Sequence, residues 1–141
     1  MTMLYQGEDI KKLIPQREPI MMVDKFFSVE GDTAKTGLLF SADNFFLEED
    51  GKMAEVGLIE HIAQSASAFA GHKALVQGQP LPVGYIGEVK KFHCYERPVV
   101  GSEIQTFITM GTEVNGVTLL TGKVEVNGVV VADTQMKIFV E

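Results

Sequence analysis

A single cysteine, Cys94, stands among the 141 residues, so no internal disulfide is available and the fold must be held by packing. The opening residues Met1-Thr2-Met3-Leu4-Tyr5-Gln6 lack the charged-then-apolar order of an export leader. Both observations point to the cytoplasm. No stretch approaches the ~20 uninterrupted apolar residues of a membrane helix, because Glu, Lys or Gly breaks each run. Basic charge is scarce: 12 Lys and Arg face 19 Asp and Glu, a net charge of -7, which argues against a nucleic-acid partner. Repeats, low-complexity tracts and linkers are missing too, and the length suits one domain over residues 1–141. His, Cys and carboxylate spacings match no metal site, and no Gly-rich phosphate loop follows a strand, so no cofactor is expected. Nothing around Cys94 suggests the positive setting that activates a thiol, and it reads as a small strand side chain.

What the chain does have is β pattern at both ends and one helix between. Glu8 to Leu13 has the look of a short amphipathic helix stopped by Pro15. Ile20 to Val29 reads as a strand, and Thr33 to Ala42 as its hairpin partner across Glu30-Gly31-Asp32. Met21 and Met22, beside Phe26 and Phe27, are assigned to the core. Glu103 to Val114, Val117 to Val126 and Val129 to Val140 form a meander joined by Asn115-Gly116 and Asn127-Gly128. Asn-Gly suits a two-residue hairpin because both residues tolerate the positive φ of a type I′ turn.

The segment from about Ala54 to Gln77 is too long for an ordinary strand, and from Val56 to His72 its one formal charge is Glu60. A helix that is apolar nearly all round is a buried one. Ala63, Ala66, Ser67, Ala68 and Ala70 would let a surrounding sheet approach closely. Burial gives Glu60 its meaning, since an ionised carboxylate away from water must find donors or lose its charge. Such groups cluster at functional sites. Gln64, one turn on, is placed to orient the carboxylate, whereas His61 points about 100° away and is read as packing.

The run Leu13-Ile14-Pro15-Gln16-Arg17-Glu18-Pro19-Ile20-Met21-Met22-Val23-Asp24 resembles the opening motif of the β-hydroxyacyl-acyl-carrier-protein dehydratases, Pro-His-Arg-x-Pro followed by an apolar strand ending in Val-Asp. Gln16 stands where that motif has histidine. Ile59-Glu60-His61-Ile62-Ala63-Gln64 is similar to the family's Glu-Ala-x-Ala-Gln helix motif, and Glu60 falls on its catalytic glutamate. Asn44-Phe45-Phe46 and Arg97-Pro98-Val99-Val100-Gly101 resemble, in order, the approach to the active-site loop and a strand turn. The resemblance implies an α+β hot-dog fold, an antiparallel sheet wrapped around one long central helix. It also implies a lyase acting on 3-hydroxyacyl thioesters in fatty-acid, lipid or polyketide biosynthesis.

One departure bears on the chemistry. The family's Gly-His-Phe-Pro loop supplies the base that removes the α-proton, and this chain reads Leu47-Glu48-Glu49-Asp50-Gly51-Lys52-Met53 there. Dehydration requires a base as well as an acid, so His93, His72 and His61 are weighed as the second group. Three readings stay open. The first is a dehydratase using Glu60, with Gln64 and Gln16 in support. The second is an acyl-thioesterase in which Glu60 activates water or attacks directly and the helix-end amides of Val56 and Gly57 polarise the carbonyl. The third is a non-catalytic acyl-binding subunit. The resemblance further implies an edge-to-edge homodimer of six-stranded sheets, or a higher oligomer, and a substrate borne by acyl-carrier protein or coenzyme A. Lys90, Lys91 and Arg97 are the candidate docking residues for an acidic carrier.

Overall fold

Two Asn-Gly dipeptides set the largest part of the architecture. In the computed structural model, which describes residues 4–140, Asn115 and Gly116 have φ of 53° and 78°, and Asn127 and Gly128 have 52° and 77°. Residues Met1, Thr2 and Met3 of the leader reading and Glu141 of the expected domain lie outside the described residues. The paired positive φ values belong to type I′ turns, whose twist matches that of the strands they join. The meander strands run at Glu103–Val114 (β5), Val117–Val126 (β6) and Val129–Val140 (β7), as the sequence pattern predicts.

Ahead of them lie β1 (Tyr5–Gln6), β2 (Lys25–Glu30) and β3 (Thr33–Leu39), and β4 (Gly84–Cys94) follows the helix. All seven form one antiparallel sheet in the order β1-β2-β3-β5-β6-β7-β4, one strand more than expected because of the two-residue β1. The long helix, α1, spans Glu55–Val76 and packs on β4, β5 and β6. Phe26, Leu58, Ile62, Ile104, Ile108 and Leu120 meet between helix and sheet, fully buried, each contributing on the order of 2 kcal/mol by leaving water. None of the described helices is long and apolar enough to cross a membrane.

Three local expectations are corrected. The first helix is a 3-10 helix over Gly7–Lys12. Six residues are too few to nucleate an α-helix cheaply, and Glu8 to Lys11 and Asp9 to Lys12 close ion pairs at the three-residue spacing of the tighter coil. The strand expected from Ile20 starts at Lys25, because the backbone of Ile20 and Met22 bonds to helix side chains in place of a ladder. The strand expected to reach Ala42 stops at Leu39, which is paired with Glu103, the first residue of β5. Of the two methionines assigned to the core, Met22 is fully buried and Met21 packs half-buried against the core; their neighbour Phe27 lies on the outer face beneath the Lys35 ammonium, 5.0 Å from its ring centre.

The sheet does not close fully over α1. Glu60, Ala63, Ser67 and Ala70, three or four residues apart and so on one helix face, are half-buried. The opposite constraint acts at Gly71, where a Cβ would collide with the main chain of Leu13. Gly71→Ala should therefore force α1 away from the Leu13 turn and cost about 2 kcal/mol, the range typical of overpacking. A thermal melt of the variant beside the parent chain measures it.

Candidate active site

Burying a helix inside a sheet leaves its polar side chains to find partners there. His61 is fully buried, and its Nδ1 lies 2.5 Å from the carbonyl oxygen of Met22 while Nε2 lies 2.7 Å from the Thr106 hydroxyl. A carbonyl only accepts, so Nδ1 carries the proton and Nε2 of the neutral ring accepts from Thr106. Gln64 holds the other side of the same residue, its Oε1 accepting from the Met22 N–H at 2.6 Å. Its Nε2 then donates to the Ile20 carbonyl at 2.8 Å and to Glu60 Oε1 at 2.8 Å. His61 thus does more than pack: with Gln64 it clasps both polar groups of Met22. The amide of Gln64 orients one oxygen of Glu60, in the arrangement that the one-turn spacing suggested.

Glu60 is half-buried rather than enclosed, and it lines a cavity of about 260 Å³ with Gln16, Ala63, Ala66, Ser67 and Tyr85. Pro82, Ile86, Met110 and Ile138 add apolar wall. The small helix residues make room for a slender ligand beside the carboxylate, and the apolar lining suits a hydrocarbon chain. Gln16 therefore lines the same cavity as Glu60, while Gln64 stands behind the carboxylate. Tyr85 and Ile86 escaped the sequence reading, although glycines flank them in Gly84-Tyr85-Ile86-Gly87, a pattern that marks close approach in a strand.

Other candidates lie elsewhere. Neither Val56 nor Gly57 lines this cavity: Val56 is 58% exposed, and the Gly57 N–H bonds to the Ala54 carbonyl at 2.9 Å. With the Gly57 amide so engaged, Val56 and Gly57 do not offer a free pair of amides to a ligand in this cavity. Arg97 is engaged by Glu48 at 2.6 Å and by Asp50, and its guanidinium holds the Asp50 carboxyl below its usual value. It ties down the loop that replaces the family's histidine loop and is not a free docking cation. Lys90 sits 3.3 Å from Glu88, while Lys91 is exposed at a bulge of β4 with φ of 48°.

The histidines do not fill the vacancy left by that loop. His61 is committed to Met22 and Thr106. His72 lies against Phe26, ring centres 5.2 Å apart, in a neighbouring groove. His93 is on the outer face of the sheet, 3.1 Å from Asp133. Burial pushes the Cys94 thiol up, and it does not line the cavity.

Comparison with known proteins adds a family to this geometry. A family model described as ApeP-like, ApeP dehydratase, matches residues 8–141. The chain is 28% identical over 134 residues to the 3-hydroxyacyl-[acyl-carrier-protein] dehydratase FabZ of Rhizobium etli, covering 91% of this chain and 84% of the relative. A FabZ from Clostridium botulinum is likewise 28% identical, over 91% of this chain and 90% of the relative. Among solved structures, the dehydratase heterocomplex ApeI:P from Xenorhabdus doucetiae superposes with a TM-score of 0.85 at 16% identity, covering 92% and 89% of the two chains. The PaaI protein of the Escherichia coli phenylacetic acid degradation operon gives 0.66 at 9% identity, over 81% and 80%. Both share the hot-dog fold seen here.

The clasp on Met22 carries a pH dependence. Burial holds the His61 imidazole below its ordinary value of 6.5. Below that pH the unfolded chain takes up a proton that the folded chain does not, so stability falls as pH drops, by up to about 1.4 kcal/mol per unit. Melting temperatures taken at about pH 7.5 and about pH 5.5 should show this slope. His61→Gln, which keeps a donor for Met22 and cannot titrate, should flatten it.

Proposed function

The chain belongs to the ApeP-like dehydratase family, and from that premise we propose that it removes water from 3-hydroxyacyl thioesters borne on an acyl-carrier protein, with Glu60 handling the proton. The observation that carries the reading is the Glu60 carboxylate, fixed by Gln64 at the wall of a cavity lined by small and apolar residues. In the reaction the Cα–H bond breaks, its electron pair becomes the Cα–Cβ double bond, and the Cβ–O bond breaks to release water. With Oε1 held by Gln64, Oε2 of Glu60 is the atom that takes the α-proton and then delivers it to the departing hydroxyl. One carboxylate serving in turn as base and acid balances the protons without the loop histidine. Two features speak against the thioesterase reading: Val56 and Gly57 do not offer a free pair of amides to a ligand in this cavity, and the curated relatives are dehydratases.

The substrate's surroundings follow from the sheet. β4 is an edge strand with Leu81, Val83, Tyr85 and Ile86 exposed on it or just before it, and Tyr85 and Ile86 form one side of the Glu60 cavity. A long apolar edge invites pairing, so a second hot-dog subunit lies along β4 and closes the cavity. A second copy of this chain serves as that subunit in the homodimer, and the Xenorhabdus doucetiae heterocomplex offers a precedent for an unlike one. An acidic carrier would meet Lys91, the exposed member of the expected docking set. A cytoplasmic setting fits this chemistry.

Glu60→Gln keeps the shape and removes the titratable group. Enoyl-thioester formation should fall at least ~100-fold, with the fold intact by circular dichroism. Thiol release from saturated acyl thioesters, read in parallel, should be negligible in both proteins. Undiminished enoyl formation in the variant would remove Glu60 from the mechanism. Binding without turnover by the parent chain, alone and with a candidate partner subunit, would favour the acyl-binding reading. Light scattering at micromolar concentration should give a dimer.

A further inference from the structure

Gln16 follows the 3-10 helix in a turn whose main chain is pinned by its neighbour. The Arg17 guanidinium donates to the carbonyls of Ile14 at 2.7 Å, Gln16 at 2.8 Å and Lys11 at 3.2 Å. With the backbone so fixed, the side chain reaches the cavity that Glu60 lines. Among the described residues, Gln16 Oε1 is the one buried side-chain nitrogen or oxygen without a hydrogen-bond partner. A buried carbonyl oxygen left without a donor is costly, so a ligand that brings a donor to it gains affinity.

The cavity wall does not supply that partner. Ala63, Ala66, Ala70, Met110 and Ile138 bring no donor, and neither Ser67 nor Tyr85 bonds to Gln16. A ligand that fills the cavity and carries a donor can supply the partner. A saturated acyl chain has none along its hydrocarbon, whereas a 3-hydroxyacyl chain has a single O–H at the carbon that loses water. We propose that Gln16 Oε1 accepts the hydrogen bond of the substrate's 3-hydroxyl and thereby selects 3-hydroxyacyl thioesters over their 3-deoxy counterparts. The inference rests on the dehydration reading for its substrate. A hydroxyl that donates to Gln16 keeps its oxygen lone pairs directed elsewhere, available for the proton that Glu60 delivers. Once water has left, the enoyl product has nothing to offer Gln16, and it is held less tightly than the substrate.

Binding, measured where turnover is silenced, tests this. In the full-length Glu60→Gln chain, a 3-hydroxyacyl pantetheine thioester should bind about tenfold tighter than the saturated thioester of equal length, the worth of one net hydrogen bond. Adding Gln16→Leu should bring that ratio close to one and leave affinity for the saturated thioester within about threefold. If Gln16→Leu does not fold, Gln16→Met carries the same test. A ratio unchanged by either substitution, or a ratio of one in the parent Gln16 chain, overturns the proposal. The unmutated chain is assayed separately for enoyl product, which keeps the two failures apart. Enoyl formation with no hydroxyl preference sinks the role of Gln16 alone. A hydroxyl preference that Gln16→Leu abolishes, found with no enoyl product, upholds Gln16 and sinks the dehydration reading.

Discussion

The rest of this molecule depends on how a buried helix is joined to the strand segment beside it. Apolar contact alone sets a distance and leaves rotation loose, whereas hydrogen bonds in a dry interior fix direction. His61 and Gln64 grip the carbonyl and the N–H of Met22 from the same helix, one residue in a two-sided hold. Rotating α1 would break both bonds inside the core, where an unpaired polar group is expensive. Glu60 inherits its orientation from that hold, because the amide group that meets Met22 is also the group that meets the carboxylate. A further bond, between the hydroxyls of Thr36 and Ser65 at 2.7 Å, ties the same helix to β3.

This arrangement explains which parts of the structure could be read from sequence. Periodicity and turn chemistry act locally, so the three meander strands and α1 emerge with nearly correct ends. The segment Ile20 to Asp24 misleads because its composition is that of a strand while Ile20 and Met22 are held by a single side chain, Gln64, 44 and 42 residues further along. Helical spacing placed Gln64 beside Glu60, and the same spacing placed His61 on another face. It could not show that both faces converge on one residue, Met22. Thr106, which receives the second nitrogen of His61, carries no local mark at all.

The cavity was half legible for a related reason. Its helix side follows from one run of small residues, and its strand side is assembled from β4, β5 and β7 and exists only through their packing. The loop from Leu47 to Met53 is a small hairpin stitched to the segment from Arg97 to Val100. Leu47 pairs with Met53, Lys52 with Val99, and Arg97 crosses to Glu48 and Asp50. Those ties bind Glu48 and Asp50 to Arg97, and they make the loop's acidic sequence a structural device.

Gly57 and Gly71 lie fourteen residues apart on α1, and each lets a neighbouring chain segment press against the helix, Phe46 at the first and Leu13 at the second. Fourteen residues make close to four turns at ~3.6 each, so the two contacts share one side of the helix. The interval between them is therefore a fixed length in space. Exposed positions such as Val56 and Val76 can be exchanged without touching either contact. The gain or loss of a single codon between the two glycines would swing one of them about 100° out of its contact, and Glu60 out of line with it. Descendants of this chain are thus expected to differ along α1 by exchange of residues and not by their number.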